Sequence, residues 1–199
     1  MTAAVQPVPA PDLDADEALI AAAQRGDTAA FTRLFRRHVD RVRTHLTRLI
    51  GPVSERDDLI QQIFLALHRA LPTYRGDGAL STFLHRITVN AAYDHLRVRR
   101  RRRDEIDTDA VDPLVAPGLH PQARAEARAD LIRLFELLGQ LSAKKRIAFV
   151  LVAVEGMSLA EAAALVGANQ DAVKQRVLHA RREITALLEQ DARREGRHD

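Results

Sequence analysis

The sequence contains no cysteine and no tryptophan, and aromatic residues fill only 4% of its 199 positions. Without cysteine there is no disulfide framework and no thiolate metal site, which fits a reducing compartment. So few aromatic residues, with β-branched runs equally scarce, leave little from which to build a large sandwich core. No apolar run approaches the roughly 18 residues needed to span a bilayer, and the N-terminus lacks the basic-then-apolar order of a signal peptide. The expectation is a cytoplasmic protein without membrane insertion. The histidines lack metal-ligand spacing, the serines fall at helix starts, and no glycine-rich phosphate loop occurs. No metal, no cofactor and no catalytic group is expected, so the function sought is one of binding.

What the chain has in quantity is Ala, Leu and Arg, with 46% hydrophobic residues. These are strong helix formers, and the fold class expected is all-α. The length allows one domain or two small ones. The net charge of +3 hides a sharper segmental pattern. Residues 25–103 hold 17 Arg against 7 acidic residues, a net of +10. Residues 104–126 hold one Arg against six acidic residues, a net of −5. A basic stretch of that density suits phosphates, and the acidic stretch that follows would avoid or mimic them.

Residues 1–11 show no periodicity and are expected to form a disordered leader. A first helix is expected over 16–24, stopped by Arg25-Gly26-Asp27, and a second over 28–50. The second has Phe31, Leu34, Phe35, Val39, Val42, Leu46 and Leu49 at helical spacing. Gly51-Pro52 ends it, and Ser54 is the expected N-cap of a third helix over 55–70. There Leu59, Ile60, Ile63, Phe64 and Leu67 face inward, while Asp58, Gln61, Gln62 and Leu65 share another face. After a loop with Pro72, Gly76 and Gly78, a fourth helix is expected over 80–99, burying Leu80, Phe83, Leu84, Ile87 and Ala91. Its opposite side carries Arg86, Asn90, Tyr93 and Arg97. Five acids and three prolines without a sustained period mark 104–121 as a flexible acidic linker.

Order resumes with a helix over 122–138 and another over 143–154 capped by Ser142. Ser158-Leu-Ala-Glu161 reads as a capping box opening a short helix to Val166. Gly167 stands where a left-handed cap is wanted, and Asn169 caps a last helix to about residue 188. Its buried stripe is Val173, Val177, Ala180, Ile184 and Leu187. Short helix, three-residue turn and longer helix have the dimensions of a helix-turn-helix. In that unit Asn169, Gln170, Lys174 and Gln175 could reach base edges, with Arg176, His179 and Arg181 closer to phosphates.

Several motifs together resemble the extracytoplasmic-function group of bacterial sigma factors, within the sigma-70 superfamily. They are Asp58-Leu-Ile-Gln-Gln-Ile-Phe64, Tyr74-Arg-Gly-Asp77, Ser81-Thr-Phe-Leu84, Arg86-Ile-Thr-Val-Asn90, the arginine run ending at Arg103, Val154-Glu-Gly-Met-Ser158 and Val173-Lys-Gln-Arg176. The resemblance covers roughly residues 15–190. It implies region 2 over 12–103, region 4 over 122–189 and a tail over 190–199. It further implies an alternative sigma factor that binds RNA polymerase core through the β′ clamp helices and the β flap. Asp58, Gln61, Gln62 and Leu65 would then contact the core. Tyr74, Arg75, Gly76, Asp77, Arg86, Asn90, Tyr93, Arg97, Arg99 and Arg100 would melt and read the −10 element of promoter DNA. Asn169, Gln170, Lys174, Gln175, Arg176, His179 and Arg181 would read the −35 element. The resemblance also implies control by an anti-sigma factor. Departures from the family pattern are Gln62 in place of Glu, Phe83 in place of Trp, Gln175 in place of Ser, and Leu178-His179 in place of His-Arg. Two other readings compete: a helix-turn-helix regulator acting without core polymerase, and a sigma-mimic interaction module.

Overall fold

A computed structural model of the chain describes residues 13–76, 78–99, 118 and 120–195. The leader expected over 1–11 and most of the acidic linker lie outside these residues, as do Asp77 and Arg100. Among the described residues there are eight α-helices and no strand. They are α1 (Leu13–Gln24), α2 (Thr28–Ile50), α3 (Arg56–Ala70), α4 (Leu80–Arg99), α5 (Pro121–Gln140), α6 (Ala143–Phe149), α7 (Leu159–Val166) and α8 (Gln170–Glu195). A 3-10 turn, Leu71–Thr73, follows α3, and a π-helical turn, Val150–Val154, follows α6. The helices fall into two compact units, one drawn from Met1–Arg48 and Glu55–Ala92, the other from Leu49–Ser54 and Tyr93–Asp199.

In the first unit, α1 starts a turn earlier than its periodicity suggested and ends at the reversal around Gly26. Asp27 then opens α2, its Oδ1 accepting from the amides of Ala29 at 2.8 Å and Ala30 at 3.0 Å. These are donors that a helix start otherwise leaves unbonded. On α2, Leu34, Val42 and Leu46 are buried. Phe31, Phe35 and Val39 are not: each is half-buried, and they line an open groove against α3. On α3 the inward set Leu59, Ile60, Ile63, Phe64 and Leu67 is buried as its spacing required. The start of α3 differs from expectation. Glu55, not Ser54, holds the N-cap position, and its side chain makes no capping bond. Asp57 and Asp58 in the first turn complement the helix dipole instead.

The inward stripe of α4 also differs. Leu80 and Leu84 are buried as expected, but the stripe continues through Thr88, Ala92 and Leu96 with Val89 beside it. Phe83, Ile87 and Ala91 are only half-buried. The four-residue step places the small Thr88 and Ala92 in the buried row. Thr88 can sit there because its hydroxyl donates to the Leu84 carbonyl at 2.8 Å, so no polar hydrogen is left bare.

The most polar buried contact in this unit joins α1 to α2. Asp16 is 4% exposed and His38 is 2% exposed. One carboxylate oxygen accepts from Arg37 Nη1 and the other lies on His38 Nε2, both at 2.9 Å. Because an ionised carboxylate only accepts, His38 carries its proton on Nε2. Burial pushes the His38 imidazole below its ordinary value, against the attraction of Asp16 and with the help of Arg37 and Arg41.

In the second unit, α8 is the spine against which α5, α6 and α7 pack. Leu138, Leu151, Ala162, Ala163, Val173, Val177 and Ala180 form the aliphatic centre. Lys145 on α6 pairs with Glu183 on α8, and Arg133 on α5 lies 3.8 Å from Asp191. That second pair, with Glu189 and Arg193 one turn apart at 3.7 Å, accompanies α8 beyond its expected end near residue 188 to Glu195. The helix expected over 143–154 stays α-helical only to Phe149. It then widens, the Glu155 amide reaching Val150 O at 2.9 Å and the Met157 amide reaching Leu151 O at 3.0 Å. Ser142 takes the N-cap position without making a side-chain capping bond.

The buried His38 makes stability depend on pH. The unfolded chain takes up its proton near the ordinary value of about 6.5, whereas the folded site resists it. The contribution is complete above that value and is lost as pH falls through the interval towards the lower folded value. Denaturant midpoints measured from about pH 8 down to about pH 5 should therefore decline in the wild type. They should decline less in His38→Gln, which cannot titrate. Equal slopes for the two proteins would show that His38 is not the group responsible.

Candidate nucleic-acid interfaces

The helix-turn-helix is built from local sequence. Ser158 adopts φ −64°, ψ 157° and accepts from the Glu161 amide at 3.2 Å, while the Glu161 carboxylate accepts from the Ser158 amide at 2.9 Å. The Ser158 hydroxyl donates to the same carboxylate at 2.6 Å. These bonds hold the exposed Glu161 carboxyl below the usual carboxylate range, the side-chain bond having the larger effect. At the other end Gly167 takes φ +62°, which a side chain would strain, and the Ala168 amide turns back to Ala163 O at 3.0 Å. Asn169 Oδ1 accepts from the Ala172 amide at 2.7 Å and starts α8. The buried Ala162 and Ala163 let α7 approach α8 closely.

This geometry leaves Gln170, Lys174, Gln175, His179 and Arg181 exposed, with Arg176 half-buried at the edge of the arc. Asn169 is exposed too, but its carbonyl oxygen is engaged in the cap. Its NH₂ alone remains for a base acceptor, which removes the bidentate adenine pairing its type would allow. The same arc includes Asp171 and Leu178, the latter 38% exposed. The buried stripe of α8 was the available signal for them, since both lie opposite it.

On α3, Asp58, Gln61, Gln62 and Leu65 are all exposed, Leu65 at 48%. Beside them lies the groove missed at the level of sequence, a concavity of about 410 Å³ between α2 and α3. Phe31, Phe35, Val39, Ile60 and Phe64 line it, with Arg43, Asp57, Gln61, Leu65 and His68 at its rim. The rings hold one another in place: Phe35 meets Phe64 edge-on at 4.6 Å, and Phe31 meets His68 at 4.9 Å. Periodicity marked these phenylalanines as core because it cannot tell a filled face from an open one.

On α4, Arg86, Asn90 and Arg97 are exposed and Tyr93 is half-buried, all on one side of the helix. Before it, Arg75 and Gly76 are exposed and Gly76 has φ +76°. Tyr74 folds back, its hydroxyl donating to Gly78 O and its ring lying 5.3 Å from Phe83. Arg99 ends α4. Asp77 and Arg100, the remaining residues expected at this surface, lie outside the described residues.

A basic helical unit with an outward polar row, followed in the same chain by a helix-turn-helix, defines a two-module DNA-binding protein. Comparison with known proteins narrows that class. The Sigma-70 region 2 model matches residues 34–102 and the Sigma-70 region 4 model matches residues 131–184. The ECF RNA polymerase sigma factor SigM of Mycobacterium tuberculosis is 35% identical over 174 residues, covering 87% of this chain and 84% of that protein. The structure of CnrH in complex with the cytosolic domain of CnrY is similar with a TM-score of 0.59 at 31% identity, covering 89% of this chain and 99% of that one. The sigma factor RpoE in complex with the anti-sigma factor NepR from Bartonella quintana matches with a TM-score of 0.56 at 25% identity, covering 80% of this chain and 96% of that one. The chain belongs to the extracytoplasmic-function sigma factors of the sigma-70 family. These are transcription initiation factors that bind RNA polymerase core and promoter DNA. No helix among the described residues is long and apolar enough to cross a membrane.

The capping box predicts a local effect on the second unit. Ser158→Ala removes the acceptor for the Glu161 amide and should lower stability by about 0.5–2 kcal/mol. Ser158→Thr keeps the hydroxyl and should recover most of it. Chemical denaturation of the three proteins checks this, and an alanine variant as stable as the wild type would contradict it.

Proposed function

We propose that this chain is a dissociable, cytoplasmic sigma subunit in which α3 docks on the β′ clamp helices of core polymerase. In this reading α4 and residues 74–79 capture the melted −10 strand, and α8 enters the major groove of the −35 element. The observation that carries the reading is the pairing of two unlike surfaces in one chain. The α3 row sets two neutral amides and an exposed Leu65 beside one acid, next to an aromatic groove. A merely solvated helix face has no need of that mixture, whereas a docking helix uses both parts. The other surface is the capped turn leading into α8, whose first turns present Gln170, Lys174 and Gln175.

The −10 surface combines cation, amide and ring: Arg86, Asn90, Tyr93 and Arg97. Capturing a single strand needs stacking area and phosphate partners together, and base–aromatic stacking contributes about 1–3 kcal/mol per base. Unstacking costs a few kcal/mol, so strand capture has to follow polymerase-assisted opening. The arginines from Arg97 onward add phosphate neutralisation, which steepens salt dependence. The chain contributes no catalysis of its own, since nucleotide chemistry belongs to the polymerase. Control by an anti-sigma factor is part of the proposal, supported by the CnrH and RpoE structures, each solved with a bound protein.

Two experiments test this. Asp58→Arg combined with Gln61→Arg should abolish co-purification of core polymerase while leaving the fold intact, because exposed substitutions usually change stability by less than about 0.5 kcal/mol. Retained core affinity in a pull-down of the folded double variant would remove the assignment of docking to this face of α3. Lys174→Ala and Gln175→Ala should weaken binding of −35 duplex by about 1–3 kcal/mol for each bidentate base pairing removed. Promoters altered only at −10 should show the same relative weakening. Normal transcription from every promoter by both variants would show that α8 is placed in the wrong groove.

A further inference from the structure

The α1 helix lies outside the segment matched by the region 2 model, which begins at residue 34. Its last residue nonetheless makes hydrogen bonds that reach far along the sequence. Gln24 Nε2 donates to Leu71 O at 3.0 Å and to Tyr74 O at 2.8 Å, across 47 and 50 residues of sequence. These two carbonyls bracket the 3-10 turn from which the chain enters residues 74–80. One amide group thus fixes both ends of the turn, and the Tyr74 amide closes it by bonding Leu71 O at 3.1 Å.

The other end of α1 is held by the buried Asp16 between Arg37 and His38. A helix tied at both ends is a rigid strut. Between it and the loop lies a concavity of about 420 Å³. One wall comes from α1, through Glu17, Ile20 and Gln24, and the other from Tyr74, Gly76 and Gly78. Besides the local bonds of Tyr74 to Leu71 O and Gly78 O, the two Gln24 bonds tie the start of the loop to α1. Removing the donor would loosen the start of the loop without touching the buried helix faces.

We infer that Gln24 is a positioning residue for capture of the melted strand. By fixing Leu71 and Tyr74 it holds the loop in the form that receives single-stranded DNA, and it acts on strand capture rather than on folding or core docking. The inference rests on the reading of residues 74–79 and α4 as the single-strand surface. Gln24 touches no base in this account.

The test uses the full chain bound to RNA polymerase core and a fluorescent single-stranded oligonucleotide carrying the non-template −10 sequence of a cognate promoter. Gln24→Glu keeps the shape but sets a carboxylate against two carbonyls, and Gln24→Met keeps the length without any donor. Both should lower single-strand affinity on the order of tenfold, the effect of weakening two ordinary hydrogen bonds. Thermal midpoint, core affinity and binding of −35 duplex should stay at wild-type values. Gln24→Lys, which retains donors in reach of the same carbonyls, should restore part of the affinity. Tyr93→Ala in parallel separates the inference from the reading beneath it. If Tyr93→Ala weakens single-strand binding and the Gln24 variants do not, the positioning role is overturned and the surface stands. If neither weakens it, the surface itself is wrong and the inference falls with it. A Gln24 variant that loses thermal stability or core affinity in proportion to its DNA binding, or that does not fold, would make Gln24 a plain structural residue and overturn the inference.

Discussion

Each helix of this chain has one apolar face to hide, and the cores that receive those faces are almost wholly aliphatic. Leu, Ile, Val and Ala supply nearly all of the fully buried side chains. Aliphatic cores of this kind gain stability only through close approach, since dispersion falls off within an ångström of contact. Small buried residues accordingly sit where α7 meets α8: Ala162 and Ala163 on α7, Ala180 on α8. Once those faces are committed, the rows proposed for docking on α3, for the melted strand on α4 and for duplex reading on α8 are left to the faces opposite.

The few aromatic side chains follow a different logic. Phe31, Phe35 and Phe64 gather around one groove, whereas Phe135 is buried in the second unit. Phe31 and Phe35 are left half-open to solvent. Tyr74 and Phe83 form a second such pair at the base of the loop preceding α4.

The parts of the fold that depend on neighbouring residues were legible in the sequence. The bounds of α2 agree with its periodicity, and the capping box and left-handed glycine of α7 needed only Ser158, Glu161 and Gly167 in the right order. The α3 core stripe was equally plain. What escaped were features set by partners far away in sequence. The α4 stripe runs through Thr88 and Ala92, which a reading by hydrophobicity alone passes over. The continuation of α8 to Glu195 accompanies a contact with α5 that no window of one helix contains. The buried Asp16–His38 contact could not be inferred at all, since a charged residue near the start of a weakly amphipathic helix reads as solvated. Among the expected interface residues, those described on α3, α4 and α8 lie half-buried or exposed on single arcs. Asn169 was expected as a base reader, but its cap bond narrows what it can read.

This contrast separates the two DNA-facing devices physically. The turn into α8 is closed by bonds spanning three to five residues, so its shape forms with the helices themselves and is insensitive to the rest of the chain. The loop before α4 combines local bonds, the Tyr74 amide on Leu71 O and the Tyr74 hydroxyl on Gly78 O, with bonds from far away. The distant bonds come from α1 across 47 and 50 residues, through one amide group, and α1 in turn holds a carboxylate buried against a histidine. A duplex reader gains from being preformed, because major-groove edges present a fixed pattern. A surface that must accept a strand only after it has unstacked gains from being held by a few adjustable bonds, since loops tied by few contacts open at low free energy. The local and non-local origins of the two shapes thus correspond to the two tasks proposed for them.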